Sequence, residues 1–196
     1  MGHRLPILKR LTECYASNVF ILSYRGYGRS EGIPDEPGIC LDAQAAYNHV
    51  QTLDMIDKNR IVLYGQSIGA AVAFYIASRN PVSAIVVENA FTSLPEVIPH
   101  VIPLLGWARS LCHQKWDTLF RIQELLKKKK LPNVLVLVGE RDEMVPPAHG
   151  KHIYGLLREK LYDKVVLSLM KDGSHNDTCL QPGYFEVIAQ FLATLE

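Results

Sequence analysis

Five short runs of apolar, strand-favouring residues punctuate the chain: Asn18 to Tyr24, Arg60 to Gly65, Ser83 to Glu88, Asn133 to Gly139 and Lys164 to Leu169. Their apolar positions are near-continuous rather than alternating, as in strands buried on both faces. Longer stretches with helical spacing lie between them. Leu5, Leu8, Leu11 and Tyr15 share one stripe of a helix running from Arg4 to Tyr15. Gly38 to Leu53 follows Pro37, which suits a helix start. Ser67 to Ser78 is rich in alanine and closes at Asn80-Pro81, a stop signal. Phe120 to Leu126, Pro146 to Leu161 and Tyr184 to Leu195 complete the helical set. Strand and helix alternating in this way predict an α/β architecture: a mostly parallel sheet with helices on both faces.

One segment breaks the rhythm. Residues 91–119 are apolar, carry Pro95, Pro99 and Pro103, and include Trp107 and Trp116. They read either as short packed helices or as a lid over a substrate site. No internal repeat or low-complexity linker is visible, so the chain reads as one domain.

Composition narrows the class. The chain has 196 residues, 48% hydrophobic and 21% charged, with a net charge of +1. That balance gives no electrostatic footprint for nucleic acid. Cys14, Cys40, Cys112 and Cys179 are too scattered for a metal or redox motif and read as free thiols. No metal or other cofactor is expected. No stretch supplies the ~18 uninterrupted apolar residues of a membrane span, and Met1-Gly2-His3-Arg4 leads into an amphipathic stretch rather than a secretory signal. The lysine run Lys127 to Lys130 could attract anionic lipid, or it could be a solvated helix end where cations complement the dipole. A cytoplasmic or peripheral membrane location is expected; oligomeric state is not legible.

The pattern Gly-x-Ser-x-Gly occurs twice, at Gly28 to Gly32 and at Gly65 to Gly69. A nucleophile elbow needs a strand before the serine and a helix after it. Behind Ser30 come Pro34 and Pro37, which forbid an immediate helix, so Ser30 reads as a loop residue. Behind Ser67 comes the alanine-rich helix, so Ser67 is the candidate nucleophile. A serine hydroxyl needs a base to take its proton, and the base needs a group that fixes its tautomer. On this kind of strand–turn–helix scaffold the chain order is serine, acid, histidine. Asp142 follows the Val134 to Val138 run through a short turn, and His175 follows the Val165 to Leu169 run through Asp172-Gly173-Ser174. Glu88, at the end of a strand, is the alternative acid. Asp172 and Asp177 lie too near His175 in sequence to be favoured. His149 and His152 read as solvated surface groups, and His3, His49, His100 and His113 lack a strand-end position.

Tyr24 to Gly32, the elbow, Val87 to Phe91, and Asp172 to Thr178 together resemble the α/β-hydrolase domain-containing protein thirteen subfamily. The similarity covers nearly the whole chain. The resemblance implies a serine hydrolase with Ser67, Asp142 and His175 as triad; the Ile68 N–H, at a helix N-terminus, is the expected donor to the oxyanion. It implies kinship with enzymes that cleave acyl esters and protein-bound palmitoyl thioesters, whose full-length members carry an N-terminal membrane anchor; none is expected within these 196 residues. It also implies three further strands ahead of Asn18, the third ending in a loop that donates to the oxyanion. This chain begins past that loop, so a gap beside the strand that bears Ser67 and weak or absent turnover are expected. A non-catalytic binding module is the alternative.

Overall fold

Four of the five apolar runs become strands of one parallel sheet in the computed structural model, which describes residues 5–15, 17–104, 107 and 111–195. The strands are β1 (Val62–Gln66), β2 (Ala84–Glu88), β3 (Asn133–Gly139) and β4 (Val165–Met170), paired in the order β1-β2-β3-β4. Every pairing is parallel, with Leu63 beside Ile85, Ile85 beside Val134 and Val134 beside Val165. The helices are α1 (Leu5–Tyr15), α2 (Glu36–Thr52), α3 (Ile68–Arg79), α4 (Leu94–Val101), α5 (Thr118–Leu126), α6 (Pro147–Leu161) and α7 (Tyr184–Ala193).

Side chains alternate across the sheet, and the two faces make two cores. Ile85, Val87, Val134, Val136 and Val138 face Phe74 of α3, Ile122 of α5 and Ile153 and Leu157 of α6. Ala84, Val86, Leu135 and Leu137 face Tyr184, Ile188 and Phe191 of α7, with Ile7 of α1 beyond. Both faces being covered is why these strands read as unbroken apolar runs. Burying each such side chain contributes about 1.5–3 kcal/mol. Helix α3 is buried on several sides because α2 closes its outer face through Ile39, Ala43 and Tyr47.

Helix starts follow local chemistry. Asp35 caps α2 by accepting from the Gly38 N–H at 2.8 Å, and Pro37 sits in the first turn of a helix that starts at Glu36, two residues ahead of the start expected at Gly38. Asp117 caps α5 by accepting from the Phe120 N–H at 2.9 Å. The lysine run lies at the end of α5. Lys128 there donates to the carbonyls of Ala77 and Asn80 at 2.8 and 2.6 Å, and Lys127 pairs with Glu124.

The run Asn18 to Tyr24 is a correction. It forms no strand, and Val19 and Phe20 are exposed, while Leu22 and Tyr24 pack against the α2–α3 core. Apolar spacing reports burial, whereas a strand also needs a ladder partner. Among the described residues β1 pairs only with β2, and Val62 is 37% exposed at that edge.

The segment between β2 and β3 is pinched at its base. The Leu94 N–H donates to the Lys115 carbonyl at 2.8 Å, and the Thr118 N–H to the Thr92 carbonyl at 2.9 Å. Trp116 is buried, while Val101, Ile102, Leu104, Trp107 and Leu111 are exposed. Positions 105, 106 and 108–110 of this segment lie outside the described residues, as do Arg4, His3 and the side chain of Cys14. Cys40, Cys112 and Cys179 are not joined in disulfides.

Candidate active site

Ser67, Asp142 and His175 follow the carboxyl ends of β1, β3 and β4, where α/β sheets place their ligands. Strand β1 ends at Gln66, and the chain turns at Ser67 into α3 within one residue. Ser67 has φ of 54°, a backbone state that side chains other than glycine rarely adopt. The turn is held by the Ser67 N–H donating to the Glu88 carbonyl at 2.9 Å and by the Ala70 N–H donating to the Ser67 carbonyl at 2.9 Å. Gly65 makes the turn sterically feasible: a Cβ there would run into the Gly69 carbonyl. Ile68 is the first residue of α3, so its N–H belongs to the helix N-terminus, where partial positive charge gathers.

Strand β3 ends at Gly139, and the next turn carries Asp142. The Oδ1 of Asp142 accepts from the N–H groups of Met144 and Val145 at 2.9 and 2.7 Å. Its Oδ2 lies 2.8 Å from Nδ1 of His175. Both residues are buried, at 6% relative exposure each. An ionised carboxylate accepts only, so Nδ1 carries the proton and Nε2 is left as the basic nitrogen.

His175 sits on the loop after β4, and that loop is pinned from several sides. The Gln66 side chain donates to the His175 carbonyl at 2.8 Å, which ties the residue next to Ser67 to the histidine. The Asn89 side chain donates to the carbonyls of Ser174 and His175 at 3.3 and 3.2 Å and to the Thr178 hydroxyl at 3.0 Å. The Ser174 N–H donates to Asp177 at 2.6 Å, a bond that holds the Asp177 carboxyl below its usual range.

Glu88, the alternative acid, is engaged elsewhere. Its Oε2 accepts from the hydroxyls of Tyr64 and Tyr184 at 2.5 and 2.6 Å, and its Oε1 accepts from Gln66 at 3.1 Å. Burial first, and then the Glu88 charge, push the Tyr64 phenol well above its ordinary range. Asp172 pairs with Arg141 at 2.8 Å, and the Ser30 hydroxyl donates to the Ser23 carbonyl at 3.1 Å. His49, His100, His113 and His152 are exposed.

His149 corrects the surface reading. It is half-buried, and its Nδ1 lies 2.8 Å from the Thr92 hydroxyl and 3.4 Å from the Thr92 N–H. Burial pushes its pKa down. Thr92, Leu119, Ala148, His149 and His152 line a shallow hollow there. Only Thr92, just beyond the end of β2, could have hinted at this, and its partner is 57 residues away. Gln66, Asn89 and Tyr184 also escape the sequence reading, although Asn89 lies inside one of the runs that carry the resemblance. Among the described residues no group of three or more His, Cys, Asp and Glu side chains is arranged to hold a metal ion.

A parallel sheet with a serine on a strand–helix elbow and a carboxylate-bound histidine at the same rim defines an α/β-hydrolase-type scaffold. The chain belongs to the α/β-hydrolase fold family, whose sequence model matches residues 8–111. It is 44% identical to the protein bem46 of Schizosaccharomyces pombe, over 98% of this chain and 63% of that protein. It is 37% identical to the uncharacterized membrane protein YNL320W of Saccharomyces cerevisiae, over 98% of this chain and 66% of that protein. The chain thus spans somewhat under two thirds of the length of these relatives. Among solved structures it resembles the Pyrococcus furiosus esterase PF2001, with a TM-score of 0.79 and 18% identity, covering 99% of this chain and 76% of that one. No described helix is long and apolar enough to cross a membrane.

Proposed function

We propose that the chain is a serine hydrolase acting on acyl esters or thioesters, within the subfamily thirteen branch of the α/β-hydrolases. Ser67 is the nucleophile, His175 the base and Asp142 the group that orients it. The observation that carries this reading is the 2.8 Å contact between Nδ1 of His175 and Asp142, at the same rim as the strained turn at Ser67.

In this reading Nε2 of His175 takes the Ser67 proton as the hydroxyl attacks the acyl carbonyl. Asp142 stabilises the imidazolium, and the Ile68 N–H donates to the developing oxyanion. The imidazolium then protonates the leaving alcohol or thiol. Water, activated by the same nitrogen, releases the acid and restores Ser67.

The exposed apolar side chains Val101, Ile102, Leu104, Trp107 and Leu111 favour a long acyl chain, palmitoyl-protein thioesters included. A long-chain substrate and a relative named as a membrane protein favour action at a membrane surface. The lysine run supports this less well, because Lys127 and Lys128 are occupied within the chain.

Labelling with a fluorophosphonate probe tests the reading. The native chain is expected to label and Ser67→Ala to stay unlabelled. Absence of labelling in the native chain would overturn it.

A further inference from the structure

The base of a serine hydrolase must sit at a fixed height above the sheet. The ring of His175 is held by Asp142, on the turn after β3. Its main chain is held by a different set of groups. The His175 carbonyl accepts from two side-chain amides: that of Gln66 at the end of β1, and that of Asn89 just beyond β2. Each amide is itself fixed from behind. Gln66 also donates to Oε1 of Glu88, whose other oxygen is gripped by Tyr64 and Tyr184. The Asn89 side-chain oxygen Oδ1 accepts from the Gly139 N–H at 2.8 Å, and Asn89 has φ of 48°.

The amide of Gln66 thus has one hydrogen on the base loop and the other on a carboxylate that is fully buried. A glutamine free in solution rotates about three side-chain bonds, and here that freedom is removed. Glu88 forces the nitrogen end of the amide toward the loop, because a carboxylate accepts and does not donate. The arrangement is a set of second supports around a reacting group, the kind that keeps catalytic geometry within a fraction of an ångström.

We propose that Gln66 and Asn89 form a carboxamide clamp on the His175 main chain, with Glu88 steering Gln66, and that these are positioning residues for the base. The proposal rests on the reading of His175 as the base. Glu88 therefore serves that base from beneath while Asp142 meets its ring.

The test compares Gln66→Met, which keeps length and removes both donors, with the native chain on p-nitrophenyl acetate and on the fluorophosphonate probe. A misplacement of the base by a fraction of an ångström to one ångström costs up to about a hundredfold in rate. The expected result is a fall in kcat of about ten- to a hundredfold, a matching fall in labelling rate, and KM within about twofold. Asn89→Gly, which keeps the positive φ accessible and removes the amide, is expected to do the same. Thermal unfolding of each variant is measured in parallel. A Gln66→Met chain that labels at the native rate would overturn the clamp, whatever its thermal midpoint. A native chain that fails to label would instead overturn the hydrolase reading itself, so the two failures are distinguishable.

Discussion

The main-chain N–H of Val145 donates to Oδ1 of Asp142 at 2.7 Å, so the carboxylate that meets His175 is braced by its own turn. Asp142 needs no other element to hold its orientation. An asparagine at this position could accept the same N–H bonds through its oxygen but would present its amide to the ring and favour the wrong tautomer. Asp142→Asn is expected to lower kcat by about 10³–10⁴-fold while leaving the thermal midpoint close to native. Steady-state kinetics beside a thermal melt check both halves of the expectation.

The elbow depends on the missing side chain at position 65. Gly65→Ala would press a methyl group onto the Gly69 carbonyl and force β1 and α3 apart. A loss of about 1–3 kcal/mol is expected from overpacking at a site that cannot yield, accompanied by slower fluorophosphonate labelling. Urea unfolding measures the first, and unchanged stability would show that the strand and helix can separate without cost.

Lys128 joins two helices. Its ammonium donates to two carbonyls at the C-terminal end of α3, where cations are favoured, and partial burial lowers its pKa. Lys128→Met keeps the stem and removes the donors. A loss of about 1 kcal/mol is expected near neutral pH, and urea unfolding reads it directly. Replacing the exposed Lys129 serves as the control and is expected to change little.

His149 predicts a pH effect. Its folded pKa is lowered, chiefly by burial, with Glu96 opposing and His100 and His152 adding to the shift. The Thr92 N–H points at Nδ1, so that nitrogen accepts and the ring is neutral with its proton on Nε2. As pH falls through the ordinary histidine range near ~6.5, the unfolded chain binds a proton that the folded chain does not. Stability present above that range is therefore lost below it. His149→Gln is expected to flatten the acid-side decline when unfolding is followed across that window.

The strands legible from sequence are those buried on both faces. Asn133 to Gly139 matches β3 end to end because every residue after Asn133 is buried. Asn18 to Tyr24 has the same apolar character, yet its outcome depends on a ladder partner, which no local pattern records. Asp142 and His175 can be paired on paper because each follows a strand closely and both strands end at one rim. The grip of Tyr64 and Tyr184 on Glu88 cannot, since those tyrosines lie 24 and 96 residues from it, and Tyr64 meets it through the pairing of β1 with β2 while Tyr184 meets it through the packing of α7 on the sheet. His149 escapes for a related reason: helical spacing places a side chain on a face, but Thr92 decides whether that face is wet.

The pinched base of the stretch between β2 and β3 has an evolutionary corollary. Its two ends are stapled together by Leu94 with Lys115 and by Thr92 with Thr118, and neither staple involves Ser67, Asp142 or His175. Whatever is threaded between those staples can lengthen, shorten or change character while the reacting atoms keep their places. Diversification of substrate taste within this lineage would then proceed by exchanging one cartridge on an unaltered chassis.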